Sequence, residues 1–71
     1  MTSNQTKKII ANNIKEARKV SRLTQLEVAD MADINVNYYA KIERGEAIPS
    51  LMTLEKILIT LKIKSSKILP F

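Results

Sequence analysis

The sequence contains no cysteine and no histidine, and it has only one glycine, two prolines and three aromatic residues. Without cysteine it cannot form disulfides or thiolate metal sites, and without histidine it lacks imidazole as a base or metal ligand. No apolar run approaches the roughly 20 residues of a membrane span, and no signal-peptide pattern opens the chain. We therefore expect a cytoplasmic protein that is not an enzyme, binds no cofactor or metal and does not contact the membrane.

The charge of the chain is unevenly distributed. Its net charge is +5, and the basic residues concentrate in residues 1–22 and 56–71, whereas residues 23–55 carry an excess of acid. A basic balance suggests a polyanion such as nucleic acid, although many helical domains are mildly basic. We expect one domain, residues 1–71. A domain of this size has a small core and is only marginally stable alone, and dimerisation is one common way to stabilise it.

Scarce glycine and proline, and the lack of a period-two apolar pattern, predict an all-α fold. A first helix over about residues 6–20 carries an apolar stripe. Thr24 and Glu27 have the spacing of a capping box, which predicts the start of a second helix whose inward face is Val28, Ala29 and Ala32.

The remaining helices are predicted from their caps. Asn35 is an N-cap for a third helix, which runs to about residue 44 before Gly45 ends it. Ser50 caps a fourth helix with an apolar face, and residues 65–69 can form a short fifth. Helices two and three, over about residues 24–44, have the layout of a helix-turn-helix, in which the second helix fits the DNA major groove.

The adjacent tyrosines divide the third helix into two faces. Neighbouring residues on an α-helix point about 100° apart, so Tyr38 and Tyr39 cannot share an environment. Tyr39 and Ile42 form the buried edge, with the Tyr39 hydroxyl directed to an edge of the core, and Tyr38 lies on the flank. Glu43 borders the core, where Arg18 of the first helix is its natural partner in a structural ion pair. The opposite face is polar and consists of Asn37, Lys41 and Arg44.

This polar face predicts the residues that contact DNA bases. Asparagine bonds adenine edges, lysine bonds guanine edges, and an apolar methyl group meets the thymine methyl. We therefore predict base contacts from Val36, Asn37 and Lys41. A solvated helix face without a partner is the alternative interpretation.

The sequence LTQLEVADMADINVNYYAKIERGEAIPSLMTLEKIL, residues 23–58, resembles the lambda-repressor-like, or XRE/Cro-type, helix-turn-helix family. The resemblance extends over residues 14–68. Its strongest marks are Leu23-Thr24-Gln25 at the second helix, Ile42-Glu43-Arg44-Gly45 at the end of the third, and Pro49-Ser50-Leu51 at the fourth.

The resemblance implies a five-helix domain that binds a palindromic operator as a homodimer. It agrees with the base contacts and the Arg18–Glu43 pair inferred above. Helix N-termini and nearby bases can hold phosphates, so contacts to the DNA backbone are expected from Lys19, Arg22, Thr24, Gln25, Tyr38, Arg44 and Ser50.

Three residues depart from the family pattern. Asp33 fills the turn position that is usually glycine and enters the left-handed region at some cost, so we expect a slightly altered turn. Arg22 replaces the glycine that usually precedes Leu23. Val36 fills a slot that is more often polar, so we expect lower specificity at that base pair.

Residues 57–71 form the expected dimerisation region, because relatives commonly dimerise through the fourth and fifth helices. The candidate interface residues are Ile59, Ile68, Leu69 and Phe71, and packing of the tail within one protomer is the alternative. RNA polymerase is a further candidate partner by resemblance, because some relatives present acid to RNA polymerase on the second helix, where Glu27 and Asp30 lie. A solvated face is the simpler interpretation of those two residues.

Size and layout are similar to controller proteins of restriction–modification systems, which activate or repress their own operon, and we expect the chain to be such a controller. Phage-type repressors and antitoxins are alternatives within the family. A protein-interaction module without specific DNA binding is an alternative outside it. A chain this short is expected to have no small-molecule ligand.

Overall fold

The computed structural model describes residues 3–71 and, within them, four α-helices. The helices are α1 (Ser3–Val20), α2 (Gln25–Met31), α3 (Val36–Glu43) and α4 (Leu51–Leu61), followed by a single 3-10 turn, Ser65–Lys67. The all-α fold is confirmed, and no strand occurs in this part of the chain. A fifth α-helix is not confirmed: the short segment before Pro70 holds only the 3-10 turn, a form common in such short pieces.

Three of the helices begin at the predicted N-caps. The Thr24 hydroxyl accepts a hydrogen bond from the Glu27 amide at 3.0 Å, and the Glu27 carboxylate accepts one from the Thr24 amide at 2.9 Å. The Asn35 side chain accepts hydrogen bonds from two amides of α3, and Ser50 accepts one from the Thr53 amide. The capping box and both further caps are therefore confirmed.

All four helices end in the same way, with a residue in the left-handed region. The residues are Arg22, Asp33, Gly45 and Lys62, with φ of 60°, 57°, 75° and 56°. In each case the next amide donates back across the helix end, to the carbonyls of Arg18, Ala29, Lys41 and Leu58 respectively. This is the Schellman motif, which usually employs glycine. Three of the four ends therefore use an L-residue where glycine is favoured.

The core lies between all four helices and the tail. Tyr39 is fully buried near its centre, as predicted, and the inward face of α2 is buried as well. The apolar core cluster consists of Ile10, Ile14, Val28, Ala29, Tyr39, Ile42, Leu54, Ile57, Leu61 and Ile68. Because both α2 and α3 contribute to this cluster, the core fixes how the two short helices pack against each other.

Candidate nucleic-acid interface

The two faces of α3 differ in the way the sequence predicts. Tyr39 and Ile42 are buried, while Asn37, Lys41 and Arg44 are exposed. The Asn35 side chain holds the first turn, accepting hydrogen bonds from the amides of Asn37 at 2.8 Å and of Tyr38 at 3.1 Å. A side of α3 that carries an amide, an ammonium and a guanidinium group therefore faces outward from a fixed helix.

Val36 and Tyr38 occupy an intermediate environment. Both side chains are half-buried and pack against the core cluster. Each residue therefore contributes part of its surface to folding and can present only the remainder to a partner. Asn37 and Lys41 are therefore exposed, whereas the apolar side chain of Val36 also packs against the core.

The predicted pair of Arg18 and Glu43 is present and is bidentate. The Arg18 guanidinium donates to the Glu43 carboxylate through Nε at 2.7 Å and through Nη2 at 3.0 Å. Its Nη1 donates to the Leu23 carbonyl at 2.8 Å, which ties the end of α1 to the start of α2. The Glu43 side chain is only 2% exposed, so this carboxylate is a buried charge with its counter-charge.

The environment of this pair shifts three pKa values. Burial alone would raise the pKa of Glu43, but the hydrogen bond from Arg18, the neighbouring Tyr39 hydroxyl and the hydrogen bond from Gln25 lower it on balance. The hydrogen bond to Glu43 raises the pKa of Arg18 despite partial burial. Burial, followed by the Glu43 carboxylate, raises the pKa of Tyr39. The Tyr39 hydroxyl is therefore enclosed beside the ion pair, and the prediction that it reaches an edge of the core was wrong.

Gln25 has a role that the sequence did not reveal. Its side-chain amide donates to the Glu43 carboxylate at 3.0 Å. A residue in the first turn of α2 thus contacts the last residue of α3, so the start of one helix lies beside the end of the other. This contact brings Thr24 and Gln25 close to the end of α3 that carries Lys41 and Arg44. It also engages the Gln25 amide within the protomer.

Two of the other predicted backbone-contacting residues have acidic neighbours. Arg44 forms an exposed ion pair with Glu46, and Lys19 lies 3.9 Å from the Glu16 carboxylate. Exposed pairs of this kind contribute little to stability, so both bases remain able to exchange partners. The remaining candidates, Arg22, Thr24 and Ser50, are exposed at the ends of α1, α2 and α4.

The structure buries some of the predicted dimerisation residues and leaves others exposed. Ile68 is 1% exposed within the protomer, because it joins the core and its carbonyl accepts a hydrogen bond from Asn13 Nδ2 at 2.8 Å. The prediction that Ile68 lies at a dimer interface was therefore wrong, and the alternative of intramolecular packing holds for it. Leu69 is half-buried, while Ile59 and Phe71 are 70% and 87% exposed.

Comparison with known proteins identifies the family to which this fold belongs. Residues 14–68 match the helix-turn-helix family HTH_3, and these residues include α2, α3 and α4. The chain belongs to the HTH_3 helix-turn-helix family. The predicted lambda-repressor-like resemblance is confirmed over the segment that was expected to carry it.

One relative resembles this helix-turn-helix protein in sequence. It is the immunity repressor protein of Bacillus phage phi105, which is 41% identical over 59 residues, or 83% of the chain. The matched residues make up 41% of that repressor. The chain therefore spans less than half the length of this curated relative.

Two solved structures share the fold of this helix-turn-helix protein. An HTH_3 family transcriptional regulator from Vibrio cholerae superimposes with a TM-score of 0.87 at 33% identity, covering 94% of the chain and 38% of the regulator. The restriction-modification controller protein C.AhdI from Aeromonas hydrophila superimposes with a TM-score of 0.84 at 22% identity, covering 87% of the chain and 94% of the controller. At that identity, the second likeness shows the fold alone.

Over residues 3–71, no helix is both long and apolar enough to cross a bilayer. Within the same range, no cluster of three acidic side chains is placed to hold a metal ion.

Proposed function

We propose that this chain is a transcriptional regulator that binds a palindromic DNA operator as a homodimer. The observation that carries the proposal is the division of α3 into a buried edge and an exposed polar face. A helix held this way presents Asn37 and Lys41 to the major groove while Tyr39 and Ile42 anchor it. Membership of the helix-turn-helix family supports the same conclusion.

Each residue of the proposed interface has a distinct task. Asn37 bonds an adenine edge, Lys41 bonds a guanine edge, and the exposed part of Val36 meets a thymine methyl group. Arg22 and Arg44 contact phosphates and fix the register of the helix, but they carry no sequence information themselves.

Repression is the sign of regulation that the likeness to the phage repressor supports. The likeness to C.AhdI supports the fold but not the role, because its identity is only 22%. The likeness to a phage immunity repressor is one of sequence, at 41% identity over 59 residues. We therefore place a phage-type repressor ahead of a restriction–modification controller, and a promoter-reporter assay separates them, because a controller also activates.

The test of DNA binding is a selection from a randomised duplex pool at physiological salt, followed by sequencing of the retained DNA. We expect an enriched palindrome whose half-sites lie about one helical turn, ~10 bp, apart, because a two-fold dimer sets that spacing. Retention of no preferred sequence by folded protein would contradict the proposal and favour a protein-interaction module.

The role of α3 is tested with a matched pair of asparagine variants. Asn37→Ala removes an exposed amide from α3, and Asn12→Ala removes one from α1. Loss of a bidentate base contact costs about 1–3 kcal/mol, so Asn37→Ala should weaken binding to the selected operator by about 5- to 150-fold for each half-site. Asn12→Ala should leave the affinity unchanged, and equal effects of the two changes would contradict the assignment of α3 as the reading helix.

A further inference from the structure

A line of basic residues runs along the exposed face of α1 and continues into the turn that follows it. Lys8, Lys15 and Lys19 lie within about 40° of one another on the helix, because their spacings are close to whole turns. All three side chains are exposed, as is that of Arg22 just beyond the helix end. These four residues form a basic stripe, and its helical part, from Lys8 to Lys19, is about 16 Å long.

The charges of the basic stripe are largely uncompensated. Lys19 has one acidic neighbour, Glu16, at 3.9 Å in an exposed pair. Glu16 is also the only acid in the sequence of α1. Over residues 3–71, no ion pair engages Lys8, Lys15 or Arg22. A row of like charges without counter-charges creates a positive potential that attracts a polyanion such as nucleic acid.

The basic stripe lies beside the end of α3. A methyl group on Gly45, just after α3, would lie 3.8 Å from Lys8 Cα, and Arg18 of α1 bonds Glu43 at the last position of α3. Lys15 lies only about 60° around α1 from Arg18. The stripe therefore continues the surface formed by the end of α3, which carries two further exposed bases.

The opposite side of α1 is covered by the C-terminal tail. Asn13 Nδ2 donates to the Ile68 carbonyl at 2.8 Å, and Asn13 lies about 160° around the helix from Lys15. The tail belongs to the predicted dimerisation region, residues 57–71, so the stripe faces away from that region. In the homodimer of the proposed function, the two stripes then lie at the outer ends, away from the two-fold axis.

We propose that the basic stripe binds the DNA phosphates immediately outside each half-site, so that the protein contacts a longer duplex than it reads. The inference rests on the proposed function and adds a second contact surface that is independent of base sequence. Contacts from Lys19 and Arg22 were already expected, and Lys8 and Lys15 extend them along α1. With a rise of about 3.4 Å per base pair, about 16 Å of helix corresponds to roughly five base pairs of flanking DNA.

The salt dependence of DNA binding tests the stripe. The double variant Lys8→Gln/Lys15→Gln removes two charges from each protomer, and its affinity is measured by fluorescence anisotropy on a duplex that extends ~10 bp beyond the selected palindrome on each side. Each neutralised phosphate contributes about 0.9 to the slope of log affinity against log salt, so four contacts in the dimer should reduce that slope by about 3.6. The defect of the variant should then be about 150-fold larger at roughly 50 mM than at roughly 200 mM salt.

The same variant locates the contact on the DNA. On a duplex trimmed to the palindrome, the variant and the unaltered protein should show the same slope, because the flanking phosphates are missing. In the selection from a randomised pool, both should enrich the same palindrome, since phosphate contacts carry no sequence information.

Two controls separate the stripe from effects of net charge and of shape. Lys64→Gln/Lys67→Gln removes the same charge from exposed residues of the tail and should leave the slope nearly unchanged. Asn12→Ala changes an exposed but uncharged side chain on the same face of α1 and should also leave it unchanged. Circular dichroism and analytical ultracentrifugation should show that every variant remains folded and dimeric.

Three results would overturn the inference. An unchanged slope for the Lys8→Gln/Lys15→Gln variant would mean that the stripe is a solvated face. An equal reduction in the tail variant would assign the effect to net charge alone. An equal reduction on the trimmed duplex would place the lysines inside the palindrome rather than beside it. All three leave the proposed function standing, whereas a folded, unaltered protein that selects no palindrome would refute the proposed function itself.

Discussion

Replacing Asp33 with glycine should stabilise the protein, because the backbone at the end of α2 lies in the left-handed region, which is unfavourable for an L-residue such as aspartate. Asp33 has a φ of 57°, close to the ideal value for the left-handed region. An L-residue loses roughly 1–2 kcal/mol there, with aspartate at the lower end of that range. Its carboxylate also lies at a helix C-terminus, where the helix dipole disfavours negative charge.

The expected gain follows from two opposing effects. Glycine removes the strain, but it also has more conformational freedom to lose on folding, about 0.5–1 kcal/mol. With removal of the unfavourable charge included, we expect the free energy of unfolding to rise by about 0.5–1 kcal/mol. For a domain of this size, this corresponds to an increase in Tm of roughly 3–6 °C. Asp33→Asn removes only the charge and should give a smaller gain.

Gly45→Ala is the matched control, because it should lower the free energy of unfolding where Asp33→Gly should raise it. Gly45 has a φ of 75° at the end of α3, and a methyl group there would meet Lys8 Cγ at 3.6 Å and Ala11 Cβ at 3.9 Å, which are ordinary contacts. The loss of about 1 kcal/mol therefore comes from the backbone alone. Thermal unfolding by circular dichroism at one fixed protein concentration measures both variants, because a dimer's Tm depends on concentration. A lower Tm for Asp33→Gly would refute the reasoning and assign the Asp33 carboxylate a stabilising contact.

The remaining predictions concern the two arginine pairs. Arg18→Met leaves the Glu43 carboxylate without its counter-charge, so the free energy of unfolding should fall by about 3 kcal/mol in urea denaturation, and an unchanged midpoint would contradict this. Because the pKa of Glu43 is lowered in the folded state, its contribution is complete above the ordinary glutamate pKa of about 4.3 and is lost as the pH falls below it. Urea midpoints measured across that range should therefore fall more steeply for the unaltered protein than for Arg18→Met. Glu46→Gln frees Arg44 and should tighten operator binding by up to about fivefold, an effect that should vanish in an Arg44→Met background.

The sequence predicted those features of the fold that depend on neighbouring residues. The starts of α2, α3 and α4 follow from Thr24, Asn35 and Ser50, because a cap bonds amides only two or three residues away. The burial of Tyr39 likewise follows from the angular spacing of residues on one helix. Local geometry was sufficient for each of these predictions.

Contacts between distant segments were predicted less well. The burial of Ile68 depends on the tail folding back onto α1, which no local pattern specifies. The contact of Gln25 with Glu43 depends on how α2 and α3 cross. Gln25, which the sequence predicted to contact the DNA backbone, therefore forms a hydrogen bond within the protomer that no local pattern indicated. The Arg18–Glu43 pair was the exception, because the family resemblance and the helical wheel both indicated it.

The exposed position of Asn37 and Lys41 has a consequence for how this protein can change over evolution. Surface substitutions away from caps and buried pairs usually alter stability by less than about 0.5 kcal/mol. Under the proposed function, the two residues can therefore be exchanged for others, and operator preference altered, while the fold is left intact. Val36 lacks this freedom because it packs against the core. New DNA specificities should consequently arise first at positions 37 and 41, with position 36 confined to side chains of similar shape.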